Sequence, residues 1–148
     1  MEPLDLETSQ AVILDHSEHP RRYAVPPRFS SSEVAYNPLC GDRYTIYVLV
    51  ESGVIRDVGF EGHGCAVSKA SISMMAERIA GLTGEEARAL RKRLTNSLTS
   101  NPDPEPEVTG ASPLDELQSL LVVRNAPTRI RCALLGWEAL ARMLGDDS

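Results

Sequence analysis

The sequence predicts an α+β fold, in which a small antiparallel sheet of three strands packs with about five helices. Residues 43–51 alternate between apolar and polar side chains, which is typical of a half-buried strand. The dipeptide Ser52-Gly53 is a tight-turn signal and is followed by a second such stretch. Helical patterns occupy most of the chain after residue 65. Since the strands are grouped rather than alternating with helices, a parallel sheet is disfavoured.

The first helix is predicted over residues 5–19 and ends at Pro20, because proline inside a helix removes a hydrogen bond and clashes with the preceding turn. Its two histidines, His16 and His19, are expected on the exposed side. The apolar stripe of this helix is expected to consist of Leu6, Ile13 and Leu14.

The sheet is predicted from three segments. The central strand covers residues 43–51, the return strand covers residues 54–61, and a short strand near residues 33–36 adds the third member. The side chains expected on the buried face of the central strand are Tyr44, Ile46, Val48 and Val50.

Two helices follow the sheet. The first begins at Cys65 and ends near Gly81, which suits a helix C-terminus. Thr83 and Glu86 have the spacing of a capping box and predict a further helix that runs to about Leu98. The apolar positions of the earlier helix, expected in the core, are Val67, Ala70, Met74, Met75 and Ile79.

The C-terminal part is predicted to contain a linker and two helices. Residues 101–107 are rich in proline and acidic residues and have no apolar face to bury. The sequence SPLD at 112–115 begins a short helix with a cap and a proline at the first position. The last helix starts near Pro127 and ends at Gly145. Its core stripe is expected to be Ile130, Leu134, Trp137, Ala141 and Leu144.

Length and charge narrow the class of protein. A chain of 148 residues fits a single domain, 1–148, that can form a core without metal or disulfides. The formal net charge of −6 disfavours nucleic acid and anionic membranes as partners. The acidic N-terminal sequence is unlike a signal peptide, and no apolar run reaches the roughly 20 residues of a membrane span. We therefore expect a cytoplasmic protein.

Three cysteines carry the strongest chemical signal. Cys40 lies in a turn before a strand, and Asp42 follows it closely enough to share a site. Cys65 and Cys132 lie near predicted helix N-termini, where unpaired N–H groups favour a thiolate. An odd number of cysteines cannot pair completely, and in a reducing compartment thiols more often bind metal or react.

The residues alone leave three interpretations open. Cys40, Asp42, Cys65 and Cys132 could bind a soft metal ion such as Zn²⁺ or an iron–sulfur cluster. The same thiols could carry sulfur. Alternatively, one or more of them are buried small apolar residues, which applies most to Cys132 beside its core-like neighbours.

Three motifs resemble one family closely. They are NPLCGD at 37–42, FEGHGCAVSKAS at 60–71 and RIRCALLGW at 129–137, and VILDH at 12–16 resembles the same family's first helix. Together they resemble the NifU/IscU-like iron–sulfur cluster assembly family over nearly the whole chain. The resemblance implies a SufE/NifU-like fold.

Two features resemble the SufU branch of that family. Residues from roughly 85 to 115 look like an insertion between the second and third cysteines, and Arg131 stands where the IscU branch has a histidine. The chaperone-recruiting IscU motif Leu-Pro-Pro-Val-Lys is not reproduced at residues 125–129.

The resemblance implies a zinc site made by Cys40, Asp42, Cys65 and Cys132. It implies sulfur transfer, in which Cys40 accepts persulfide sulfur from a PLP-dependent, SufS-like cysteine desulfurase and passes it to downstream assembly or acceptor proteins. The resemblance thus implies a sulfurtransferase that accepts persulfide sulfur. The alternatives are a scaffold for a transient [2Fe–2S] cluster on the same residues and a small protein with a purely structural zinc site. Two cations lie beside the third cysteine, Arg129 and Arg131. They either contact the desulfurase or belong to a solvated start of the last helix.

Overall fold

The computed structural model describes residues 6–99 and 115–145. Within these ranges the predicted α+β architecture is confirmed, with three strands and five helices of which one is a 3₁₀ helix. The predicted linker at 101–107 and residues 112–114 lie outside the described residues. The elements are α1 (Leu6–Glu18), β1 (Ser31–Asn37), β2 (Asp42–Glu51), β3 (Val54–His63), α2 (Ala66–Ile79), α3 (Gly84–Thr99), the 3₁₀ helix (Asp115–Val123) and α4 (Pro127–Leu144).

The sheet is antiparallel throughout, with the strand order β1-β2-β3. Asn37 pairs with Asp42, so the turn that contains Cys40 closes the first hairpin. The second hairpin turns at Ser52 and Gly53, which have φ values of 54° and 76°. Positive φ at both central residues is what a tight hairpin turn of the twisted sheet requires, as the sequence predicted.

One face of the sheet supports the main core. The predicted inward side chains Tyr44, Ile46 and Val48 are buried, while Val50 is partly buried. Helices α2 and α4 pack together, and they approach so closely that a Cβ added to Gly136 would lie 2.5 Å from Ile72 Cγ1. The ends of β2, α2 and α4 are therefore fixed relative to one another by the core.

Helix α1 buries a different face from the one predicted. Leu6 and Leu14 are 61% and 55% exposed, and the buried residues are Ser9, Ile13 and His16. The prediction that His16 is exposed is wrong, whereas His19 is exposed as expected. Both ring nitrogens of His16 have hydrogen-bond partners on other elements, so the cost of burying this polar side chain is compensated.

The helix ends follow the sequence signals. Thr83 N–H donates to Glu86 Oε1 at 2.9 Å and Glu86 N–H donates to Thr83 Oγ1 at 3.1 Å, which is the predicted capping box. Gly145 ends α4 in the left-handed conformation with φ of 78°. None of the helices in the described ranges has the length and apolar content that crossing a membrane requires.

Candidate functional site

Cys40 lies at the exposed tip of the β1–β2 turn. Asn37 organises this turn: its backbone oxygen accepts from Cys40 N–H at 3.3 Å and from Gly41 N–H at 2.8 Å, and its Oδ1 accepts from Leu39 N–H at 3.2 Å. Gly41 has φ of 73°, a left-handed conformation that glycine adopts without strain. The turn therefore presents the Cys40 thiol to solvent from a hydrogen-bonded frame.

Asp42 is the first residue of β2 and is fully buried. The central strand thus begins one residue before the predicted range 43–51, because Asp42 pairs with Asn37 in the sheet. Its Oδ1 accepts from Cys65 N–H at 2.8 Å, and its Oδ2 lies 3.4 Å from Cys132 Sγ. One buried carboxylate thus contacts residues of both α2 and α4.

Cys65 caps the N-terminus of α2, as the sequence predicted. Its Sγ accepts from Ser68 N–H at 3.4 Å and lies 3.6 Å from Ser68 Oγ. The Ser68 hydroxyl is also 2.9 Å from the hydroxyl of Tyr44. Burial raises the pKa of Tyr44, so this phenol stays protonated and serves as a neutral hydrogen-bonding group.

Cys132 is in the second turn of α4 and is buried. Burial raises the pKa of its thiol, and the neighbouring Cys65 and Asp42 raise it further. The expectation that the N-terminus of this helix activates Cys132 is therefore wrong for the metal-free protein, because desolvation and nearby negative groups outweigh the helix. A cation bound beside Cys132 would favour the thiolate instead.

The structure brings three of the four predicted ligands into one group. Cys132 Sγ lies 3.7 Å from Cys40 Sγ and 3.4 Å from Asp42 Oδ2, and one ligand atom of each residue lies within 4.8 Å of the others. Tetrahedral zinc with Zn–S of about 2.3 Å and Zn–O of about 2.1 Å spaces two sulfurs by about 3.8 Å and sulfur and oxygen by about 3.6 Å. The observed spacings match these values.

The Cys65 sulfur is not part of that close group. It faces Ser68 at the start of its own helix, although Cys65 is near enough to Cys132 to raise the pKa of that thiol. Its backbone N–H is bonded to Asp42, so the residue lies at the edge of the site.

Four supporting residues were not identified from the sequence as parts of the site. They are Tyr44, which was predicted only as a core residue of the central strand, and Asn37, Gly64 and Ser68, which belong to the cysteine motifs. A Cβ added to Gly64 would lie 2.5 Å from Asp42 Oδ1, 2.5 Å from Tyr44 Oη and 2.7 Å from Ser68 Oγ. The glycine before Cys65 was the available signal, because glycine permits close approach of the backbone.

The charged residues around the site are largely exposed. Arg129 and Arg131 lie in the first turns of α4 and are exposed. Lys69 places its ammonium 5.1 Å from the centre of the Tyr23 ring, and His63 is exposed at the end of β3.

Comparison with known proteins identifies the family. The model of the NifU-like N terminal domain matches residues 8–109, a range that contains Cys40, Asp42 and Cys65. The chain belongs to the NifU-like N-terminal domain family. The resemblance stated from the sequence motifs is thereby confirmed.

Two curated members of this NifU-like family cover most of the chain. The zinc-dependent sulfurtransferase SufU of Bacillus subtilis is 34% identical over 133 residues, which cover 88% of this chain and 85% of that protein. The iron–sulfur cluster assembly scaffold protein IscU of Streptococcus pyogenes is 33% identical over 130 residues, which cover 88% of this chain and 78% of that protein.

Solved structures of NifU-like proteins share the fold. FiSufU from Fervidobacterium islandicum AW-1 has a TM-score of 0.76 at 34% identity and covers 90% of this chain and 93% of its own. The N-terminal part of a NifU-like protein from Brucella abortus has a TM-score of 0.79 at 26% identity and covers 97% of this chain and all of its own.

Proposed function

We propose that this protein works in iron–sulfur cluster assembly as a zinc-dependent sulfur acceptor, with Cys40 as the residue that receives sulfur. The observation that carries the proposal is an exposed Cys40 thiol that lies 3.7 Å from the buried Cys132 thiol, beside the buried Asp42 carboxylate. The likeness to the zinc-dependent sulfurtransferase SufU of Bacillus subtilis supports it.

Cys40, Asp42, Cys65 and Cys132 are the proposed zinc ligands. Three thiols and one carboxylate are donors that zinc accepts, and the spacings of Cys40, Asp42 and Cys132 suit tetrahedral coordination. Bound zinc would hold the coordinated thiols as thiolates at neutral pH. A zinc ion there would also compensate the burial of the Asp42 carboxylate beside Cys132, because a buried charge needs a partner of opposite charge.

The proposed reaction is a thiol exchange. The Cys40 thiolate attacks the outer sulfur of a persulfide on the partner enzyme, and a new S–S bond forms on Cys40. The S–S bond within the partner's persulfide breaks, and the partner's cysteine leaves as a thiolate. The product is a Cys40 persulfide, and no external oxidant or reductant is consumed.

Exposure supports Cys40 as the acceptor rather than the other thiols. Cys132 is buried, so the persulfide of another protein cannot reach it. Cys65 is partly buried and receives the Ser68 N–H. Cys40 lies at the tip of a turn next to Leu39, which is 72% exposed, so a partner surface can contact both residues.

The proposed partner is a PLP-dependent cysteine desulfurase of the SufS type, with Arg129 and Arg131 contributing to its binding, followed by a downstream assembly or acceptor protein. We propose a cytoplasmic location, because reducing conditions keep the three thiols free. We also propose that zinc is the metal that these residues hold in the cell.

The second candidate function is a scaffold whose cargo is a transient [2Fe–2S] cluster. The 33% identity to the IscU scaffold protein of Streptococcus pyogenes favours it. Thiolates are the usual ligands of such clusters, and Cys40, Cys65 and Cys132 would supply three of them.

Desulfurase turnover tests the first function. A SufS-type enzyme with PLP, cysteine and a reductant, but without iron, is assayed for alanine production with the zinc-loaded protein, with Cys40→Ala, and with Ser32→Ala as a control at an exposed position of β1. We expect stimulation by the wild type and the control, and none by Cys40→Ala. Mass spectrometry is expected to find the added sulfur on Cys40.

Equal stimulation by Cys40→Ala would overturn the acceptor role of Cys40. If the wild type gives no stimulation but assembles a cluster from iron and sulfide under anaerobic conditions, the scaffold function is favoured instead.

A further inference from the structure

A second group of metal-ligating side chains lies away from the thiols. His16, Glu77 and Glu116 belong to α1, α2 and the 3₁₀ helix, and one ligand atom from each lies within 4.8 Å of the others. His16 is fully buried, whereas Glu77 and Glu116 are exposed. We propose that this cluster binds a divalent first-row transition-metal ion of the Mn²⁺ or Fe²⁺ class.

The His16 ring is already oriented for such a role. Its Nε2 lies 2.7 Å from Glu116 Oε1, and its Nδ1 lies 2.8 Å from Ser73 Oγ. Because an ionised carboxylate only accepts, Nε2 directs its proton towards Glu116. Ser73 Oγ also accepts the Arg21 N–H at 2.8 Å, so the hydroxyl that holds the far side of the ring is itself fixed.

Metal-binding histidines usually have their second ring nitrogen held by another polar group, which sets the direction of the coordinating nitrogen. Ser73 provides that contact for His16. When an ion binds Nε2, the neutral ring carries its proton on Nδ1 and donates it to Ser73 Oγ. The ion is then surrounded by one imidazole nitrogen and two carboxylates. The exposed sides of Glu77 and Glu116 leave room for water ligands.

The charge of the cluster suits a divalent ion. Two carboxylates and a neutral imidazole sum to about −2, which a divalent cation neutralises. Arg21 interacts electrostatically with Glu77 and Glu116. Its guanidinium, however, donates to Asp15 Oδ2 at 2.7 Å and to the His19 backbone oxygen at 3.0 Å. Its hydrogen bonds are therefore directed to α1 and the end of that helix rather than to the glutamates.

The donor set distinguishes this cluster from the thiol site. It contains nitrogen and oxygen and no sulfur, which favours harder ions than the zinc proposed at the cysteines. Cys65 and Glu77 are twelve residues apart at opposite ends of α2, a distance of about 18 Å at 1.5 Å per residue. The inference is independent of the proposed function.

The test uses Mn²⁺ as the probe on the zinc-loaded protein, so that the thiols are not available. We expect electron paramagnetic resonance to report one Mn²⁺ bound per chain in the wild type. Glu77→Gln removes one charged ligand from an exposed position and is expected to weaken binding at least about tenfold. Glu138→Gln, at an exposed glutamate of α4, is the matched control and is expected to bind as the wild type does.

Thermal unfolding with and without Mn²⁺ distinguishes an ion-binding cluster from one whose hydrogen bonds only support the fold. Mn²⁺ binding to the folded chain joins three elements and is expected to raise the Tm of the wild type and of Glu138→Gln but not that of Glu77→Gln. The inference is overturned if the wild type binds no Mn²⁺, or if Glu77→Gln binds it as tightly as Glu138→Gln. The test needs no His16→Gln variant. Replacing this buried side chain would also remove contacts that support the fold.

Discussion

Cys132 Sγ lies 3.7 Å from Cys40 Sγ, although the two residues are 92 positions apart and one is buried while the other is exposed. The contact joins the β1–β2 turn to α4. It places the two thiols of the metal-free protein where they can react with each other, and the proposed zinc ion would take both as ligands.

The metal-free protein is expected to form a Cys40–Cys132 disulfide when diamide is added, because the two sulfurs need only a small approach and diamide accepts the two hydrogens. Mass spectrometry of peptides measures the cross-link. Zinc is expected to prevent it, since both thiols would then be ligands. The control Cys65→Ser should still form it, whereas a Cys65–Cys132 disulfide in the wild type would contradict the prediction.

Gly64→Ala is expected to weaken zinc binding and to lower stability by about 1–3 kcal/mol, the usual range for inserting a methyl group into a packed site. The added Cβ would lie 2.5 Å from Asp42 Oδ1 and would force that carboxylate to move. Chelator competition measures the affinity for zinc, and urea unfolding measures the stability.

Gly84→Ala is the matched control for that experiment. A Cβ on Gly84 meets nothing nearer than Arg88 Nη1 at 3.4 Å, and the residue begins α3 far from the thiols in sequence. We expect unchanged zinc affinity and a stability within about 1 kcal/mol of the wild type. Similar losses of zinc affinity in both variants would contradict the role assigned to Gly64.

The sequence predicted the strands, the turn at Ser52-Gly53 and the capping box because each depends on local chemistry. It failed at His16, since a histidine on a helix is buried or exposed according to partners that are distant in the chain. Ser73 and Glu116, which are 57 and 100 residues away, decide this case.

The candidate site likewise combines features that local sequence predicts with features that depend on distant parts of the chain. The motifs identified Cys40, Asp42, Cys65 and Cys132, and the structure places three of their ligand atoms together. Local sequence could not show that Asp42 is buried or that burial raises the pKa of Cys132, because both depend on how α4 packs against β1 and α2.

The stability of the metal-free protein is expected to fall in alkaline solution because of Cys132. Burial raises the pKa of this thiol above the value of about 8.5 that an unfolded cysteine has. The contribution of this thiol to the free energy of unfolding is therefore complete below about pH 8.5. It decreases as the pH rises towards the pKa of the folded protein, because the unfolded chain loses the proton first.

Urea unfolding of the wild type and of Cys132→Ala in the presence of a chelator measures this effect. The wild type should lose stability relative to the variant as the pH rises from about 7 to about 10, with the change beginning near the pKa of the unfolded thiol. A difference between the two proteins that stays constant over this range would contradict the assignment.

Reversing the charge at Arg129 and Arg131 together is expected to weaken docking to the desulfurase. Both side chains are exposed in the first turns of α4, and they flank Cys132, which contacts the proposed acceptor Cys40. Exposed charges at an interface act mainly on the rate of encounter and depend on salt. The double variant Arg129→Glu with Arg131→Glu should therefore raise, severalfold, the concentration of this protein that half-saturates the desulfurase.

The measurement is alanine production at several concentrations of each variant, at low and at high salt. Lys92→Glu, an exposed cation on α3, is the control and should behave as the wild type does. The maximal rate should be retained, because neither arginine is a proposed zinc ligand or sulfur acceptor, and the zinc content should be unchanged. Two results would exclude an electrostatic role for this pair. One is an equal change in half-saturating concentration for Lys92→Glu. The other is a difference between the double variant and the wild type that is as large at high salt as at low salt.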